Sequence, residues 1–171
     1  MSCDLLPTDQ PGPHYQGNVF DILGDGWDLM IAHPPCTYLA NSGVSWLYKR
    51  PERWEQMREG AAFFKMLLDA PIPKKAVENP VMHKHAMQIV GQKPFQVIQP
   101  WMFGHMETKA TCLWLSGLMP LRETRNVKVE TMKLPDAQRQ RLHWLPPGPD
   151  RWKERSKTFE GIAKAMAEQW G

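Results

Sequence analysis

Asp28-Leu-Met-Ile-Ala-His-Pro-Pro-Cys36 is a short apolar run that stops on two prolines and delivers a cysteine. Closed by Pro34, residues 28–32 read as a buried parallel strand, because proline has no N–H to give a ladder and ends the extended segment. Further on, Lys75-Ala-Val-Glu78-Asn79-Pro80 repeats the arrangement with a carboxylate at its end. A thiol and a carboxylate at the ends of two strands point to one active site.

Outward from these runs the chain alternates apolar stretches with helical patterns, which predicts an α/β sheet rather than a bundle. Pro51 and Glu52 open a helix in which Trp54, Met57, Ala61, Phe64 and Leu68 recur at helical spacing, stopping before Pro71 and Pro73. A short helix is expected from about His83 to Val90, ended by Gly91. Phe95–Gln99 and Thr111–Leu115 read as further strands, joined by a loop holding Phe103-Gly104-His105. Pro135–Trp144 is expected to be helical. A last helix over Thr158–Trp170 carries Ile162, Ala163, Met166 and Trp170 on one face.

The chain has 171 residues, enough for one domain burying about 70% of its unfolded surface. A net charge of +3 permits a phosphate-bearing partner but falls short of a dedicated DNA-binding face. Cys3, Cys36 and Cys112 lack framework spacing, which points to a reducing cytoplasm rather than secretion. No apolar run reaches the roughly 18 residues of a membrane span. Asp4 and Asp9, among prolines and glycines, exclude a signal peptide.

Cysteines are commonly buried as small apolar groups, and such thiols are inert. The setting of Cys36 favours a nucleophile: Pro34 and Pro35 stop the strand, Thr37 and Asn41 add polar groups, and Gly43 allows close backbone approach. Glu78 ends an apolar strand instead of lying in a solvated loop. His33 stands beside the turn, where it either lowers the thiol pKa or bonds the backbone. No paired ligand motif of the zinc type is present. His83-Lys84-His85 places its rings on different sides of a helix. Arg122, Arg125, Lys128, Lys133, Arg139 and Arg141 make a basic segment suited to phosphate contact.

Several ordered blocks carry a resemblance: Cys3-Asp-Leu-Leu-Pro7, Trp27 to Gly43, Val77-Glu-Asn-Pro80, Gln99-Pro-Trp-Met-Phe-Gly104, Thr111-Cys-Leu-Trp-Leu115, and Arg155-Ser-Lys-Thr158 to Trp170. Together they resemble compact phage and prophage proteins related to the cytosine-5 DNA methyltransferases. That resemblance implies a single Rossmann-like methyltransferase-type α/β domain over 1–171, its sheet flanked by helices, with no separate target-recognition domain. It implies that the Cys36 thiolate adds to carbon 6 of cytosine and that Glu78 holds the ring at nitrogen 3 and its exocyclic amine. Pro35, Thr37, Asn79 and Lys109 are then substrate contacts. The implied methyl donor is S-adenosylmethionine, held by Asp4 at the ribose, Asn18 near the adenine, and Pro34, Ser156 and Thr158. The first strand and its glycine-rich turn are not matched, so the resemblance is to an N-terminally truncated member. An arginine motif that reads the base is also missing, with Lys109 the nearest cation.

Expected partners are DNA or a pyrimidine nucleotide, a second copy paired at an exposed sheet edge, and a host protein. The expected location is the cytoplasm of a bacterial host. Two other classes share the same residues: a cofactor-free pyrimidine enzyme, and a phage-derived binder of DNA, a nucleotide or a host defence protein that performs no turnover.

Overall fold

The computed structural model describes all 171 residues. Two short strands, β1 (Ser2–Asp4) and β2 (His14–Gln16), form a small parallel pair. They precede the main sheet, which begins at β3 (Leu29–Ala32). Helices α1 (Ser45–Lys49) and α2 (Arg53–Asp69) lead to β4 (Lys74–Pro80), and α3 (Lys84–Val90) leads to β5 (Gln96–Ile98) and β6 (Thr111–Ser116). Four short helices follow, α4 (Lys128–Lys133), α5 (Asp136–Arg139), α6 (Arg141–Trp144) and α7 (Arg151–Ser156), before the closing α8 (Glu160–Trp170).

The main sheet has the order β3-β4-β6-β5. β3 runs parallel to β4, with Ile31 opposite Ala76 and Ala32 opposite Val77. β6 runs antiparallel to both neighbours and sets Leu113 opposite Glu78 and Cys112 opposite Asn79. The fold is therefore α/β with a mixed sheet, its parallel half carrying the expected thiol and carboxylate.

Alternation along the strands divides the core in two. Val77, Cys112 and Trp114 face α2 and α3 and pack with Met57, Ala61, Phe64, Leu67, Ala86 and Val90. Ala76, Ile98 and Leu113 face the other way, against Ile162, Ala165, Met166 and Trp170 of α8. Phe64 is fully buried and meets Trp114 edge-on at 4.8 Å, so truncating it to Ala would cost about 3–5 kcal/mol.

Lys75 is buried on the α2 side, where its Nζ donates to the carbonyls of Leu68 at 2.7 Å and Ala70 at 2.6 Å. These carbonyls end α2 and have no partner inside the helix, so the ammonium satisfies them and opposes the helix dipole. Gly91 ends α3 in the left-handed region, with φ of 75°, as its position after the apolar run predicts.

The expected elements differ from the observed ones in four places. Residues 29–32 are parallel but half-buried throughout, because β3 is an edge strand with a cavity on its free side. The expected helix at 135–144 is divided between α5 and α6, since Gln140 leaves helical geometry with φ of −110°. The last helix starts at Glu160, and Ala165 replaces Ala163 on its buried face. His83 and His85 do not diverge: His83 precedes α3 with extended backbone, so their ring centroids lie 5.8 Å apart.

Candidate active site

Because β3 and β4 are parallel neighbours, their carboxyl ends lie side by side, where open α/β sheets hold their ligands. Pro34 is buried and seats the turn, and the Cys36 carbonyl accepts from Leu39 N at 3.0 Å and Ala40 N at 2.9 Å. This leaves the half-buried Cys36 thiol at the rim. His33 continues the face of Ile31 while Glu78 continues that of Ala76, so both side chains project toward the α8 side. They meet there, with His33 Nδ1 2.6 Å from Glu78 Oε2.

Burial raises the Glu78 carboxyl, but the hydrogen bond and charge of His33, joined by Lys109, outweigh it and hold the group below its ordinary value. Burial pushes the Cys36 thiol up; Lys109 and Arg155 pull it down, and Glu78 adds to the rise. The resting thiol is thus protonated at neutral pH and becomes a nucleophile only after losing that proton.

Lys109 stands in the loop before β6. Its Nζ donates to the Arg155 carbonyl at 2.9 Å and lies 6.0 Å from the Phe159 ring, while its backbone N–H donates to Gln99 Oε1 at 3.0 Å. These contacts bring the start of α8 beside the ammonium, whose charge reaches both Cys36 and Glu78. Gly161 allows this approach: a Cβ there would lie 2.2 Å from the Phe103 carbonyl.

The segment after Cys36 is held from below by His83. Its Nε2 pairs with the Tyr38 carbonyl at 2.9 Å, and its Nδ1 accepts from Ala86 N at 3.2 Å as the cap of α3. Burial pushes His83 below its ordinary pKa, which keeps it neutral with Nε2–H as donor and Nδ1 as acceptor. Sequence reasoning missed this role. The signal available was a histidine in the last position before a helical apolar run.

A cavity of about 790 Å³ opens along the free edge of β3, within the size range of small-molecule sites. Asp4, Asn18 and Pro34 line it, as do Phe20, Trp27, Phe63 and, at the Cys36 end, His33 and Pro35. Asp4 Oδ1 accepts from Leu6 N at 2.9 Å, and Asn18 Oδ1 accepts from Phe20 N at 3.1 Å.

Of the expected contacts, Cys36, Glu78 and Lys109 lie close enough to act on one another's charge, while Pro35 is exposed on the rim of the β3-edge cavity and Thr37 is exposed just beyond. Asn79 departs from the expected substrate contact: it is wholly buried on the opposite face of β4, its Nδ2 donating to the Pro80 carbonyl at 2.6 Å. Strand alternation makes this unavoidable once Glu78 faces the cleft. Ser156 and Thr158 are separated from the other expected cofactor contacts. They do not line the cavity but lie at and just after the end of α7, where the Arg155 carbonyl receives Lys109. Ser156 Oγ donates to the Lys153 carbonyl at 2.9 Å. Trp170 is core, whereas Trp144 and Trp152 are exposed.

No family model, curated protein or solved structure matches the chain. No helix is long and apolar enough to cross a membrane. No three His, Cys, Asp or Glu side chains gather in a way that could hold a metal ion.

Proposed function

We propose that the chain acts on a pyrimidine base of DNA, with Cys36 as nucleophile and Glu78 as the group that grips the ring. The convergence of Cys36, Glu78 and Lys109 at the carboxyl ends of two parallel strands carries this reading. Cysteine suits addition to an electron-poor ring carbon, since its thiolate is intrinsically nucleophilic. The ionised Glu78 accepts from the exocyclic amine, and His33, its Nδ1 2.6 Å from Glu78 Oε2, orients the carboxyl toward the ring. Lys109 and Arg155 favour the thiolate over the thiol as the base arrives.

The β3-edge cavity fits the nucleoside half of S-adenosylmethionine. Asp4 keeps a carboxylate oxygen for ribose hydroxyls, Phe20 offers an aromatic wall for adenine, and the lining reaches Pro34 and Pro35 next to Cys36. S-adenosylmethionine, when bound, supplies an electrophilic methyl group. A target base inside a duplex would have to leave the stack, at a cost of a few kcal/mol.

Transfer of labelled methyl from S-adenosylmethionine to DNA, abolished in Cys36→Ala, is the expected result. Absence of both methyl transfer and cofactor heat by calorimetry at millimolar ligand would sink the methylating reading. A mass adduct at Cys36 with 5-fluorocytosine DNA but no cofactor would instead assign the cofactor-free pyrimidine reaction.

A further inference from the structure

The segment following Cys36 builds a second surface, on α1 and the start of α2. Trp46 and Tyr48 are 43% and 66% exposed, although large aromatic side chains usually bury their rings. Neither is loose. Tyr48 stands edge-on to Trp54 at 5.8 Å, and its hydroxyl pairs with His85 Nε2 at 2.8 Å, leaving much of the ring to solvent. Lys49 Nζ lies 5.1 Å and Arg50 Cζ 5.3 Å from the Trp46 ring. Arg53 covers the Tyr38 ring at 4.7 Å, and its guanidinium donates to the Thr37 carbonyl at 3.2 Å, one residue from the thiol.

The charge of this surface is uncompensated. Lys49, Arg50 and Arg53 form no ion pair with any carboxylate, and Glu52 is the one acid between 45 and 54. Farther along α2, Glu55 pairs with Arg58 and Asp69 with Lys65. In the basic segment singled out from the sequence, Arg139 and Arg141 are engaged by Asp136 and Glu107, whereas Arg122, Arg125, Lys128 and Lys133 form no ion pair.

Exposed rings interleaved with unpaired cations match one ligand chemistry: phosphates on the cations, unpaired bases on the rings. A duplex hides its base faces in the stack and offers the rings nothing. We infer that the α1–α2 surface binds a single strand of DNA, with phosphates on Arg53, Arg50 and Lys49 and an unstacked base on Tyr48. The inference rests on the proposed action on a DNA base, since the strand that delivers a base to Cys36 continues over Thr37 and Arg53.

The experiment is anisotropy of a labelled single-stranded oligonucleotide of about 20 nucleotides, a length that spans any one-domain site. The full chain is compared with Lys49→Glu/Arg50→Glu, Tyr48→Ala, and a control of equal charge change, Lys93→Glu/Lys164→Glu. Circular dichroism melting verifies that each variant folds. Tyr48→Ala is expected to weaken binding about tenfold, as loss of one stacked base does. The double reversal is expected to lower the salt slope by roughly 0.7 for each phosphate that is no longer neutralised. The control should lie within about twofold of wild type, since it leaves every phosphate on its cation. Equal affinity of wild type and the α1–α2 variants, equal weakening by the control, or binding of duplex in preference to single strand would each overturn the inference. Binding through α1–α2 without methyl transfer removes only the catalytic reading, and methyl transfer indifferent to these variants removes only this surface.

Discussion

His33 Nδ1 and Glu78 Oε2 lie 2.6 Å apart, although 45 residues separate them in the chain. The pair joins the ends of β3 and β4 and determines the protonation state of the carboxyl in the cleft. Burial alone would raise Glu78; the histidine and Lys109 reverse the sign.

Removing His33 should therefore raise the Glu78 pKa. In His33→Ala the burial penalty is opposed by Lys109 alone, and the carboxyl carbon should titrate at higher pH by NMR than in wild type. An unchanged midpoint would show that the bond carries no weight. The sign for stability follows: the folded pKa is lowered, so Glu78 stabilises the fold above its unfolded value of about 4.3. That contribution is lost as pH falls through the folded value, and the stability gap between wild type and Glu78→Gln should change across that same window.

His83 gives a second pH dependence, at higher pH. Its folded pKa is lowered by burial, so its contribution is present above the unfolded value of about 6.5 and fades as pH falls through the folded one. Protonation removes the Nδ1 acceptor that caps α3. Urea midpoints should drop between neutral and mildly acidic pH in wild type, and the drop should shrink in His83→Asn, which keeps a capping acceptor without titrating. An equally steep drop in that variant would exclude His83 as its source.

Cys36 should alkylate slowly at neutral pH, with an inflection above that of a free thiol. Burial is the main cause, with Glu78 adding and Lys109 subtracting. Glu78→Gln should move the inflection down, and Lys109→Met should move it up, as read by mass spectrometry of the Cys36 peptide with iodoacetamide. Shifts in the same direction for both variants would contradict the assigned charges.

Lys75→Met keeps most of the stem volume but removes the ammonium from two helix-terminal carbonyls. Hydrogen bonds to charged groups are worth about 1.5–3 kcal/mol each, so loss of the two is expected to cost about 3–6 kcal/mol in denaturant unfolding. A variant within about 0.5 kcal/mol of wild type would mean that water replaces the ammonium there.

Gly161→Ala places a methyl 2.2 Å from the Phe103 carbonyl and 3.0 Å from His105 Nε2. The first is backbone and cannot rotate away, so α8 must shift, at a cost of about 1–3 kcal/mol or more. Gly24→Ala, with nothing within 4 Å of the added carbon, should leave the melting temperature nearly unchanged. Equal melting temperatures for the two variants would remove the close approach as a constraint.

Much of this architecture was legible along the chain. Pro34 and Pro35 mark where β3 stops, Gly91 marks the end of α3, and the recurrence of Met57, Ala61 and Phe64 marks the buried side of α2. These are local properties of proline, glycine and periodicity, so sequence alone specifies them. It also placed Cys36 and Glu78 at strand ends. Local pattern did not reveal which strand is the edge, because an apolar run reads alike whether one neighbour or two pair with it. The face taken by Asn79 was equally hidden, as were the partners of His33 and His83. Each depends on register and on groups 45 residues distant, Glu78 for His33 and Tyr38 for His83. Sequence by itself determined where β3, α2 and α3 stop and which residues bring chemistry to the strand ends. Only the tertiary structure decided which of those residues share a cleft, because strand pairing sets the alternation of every side chain at once.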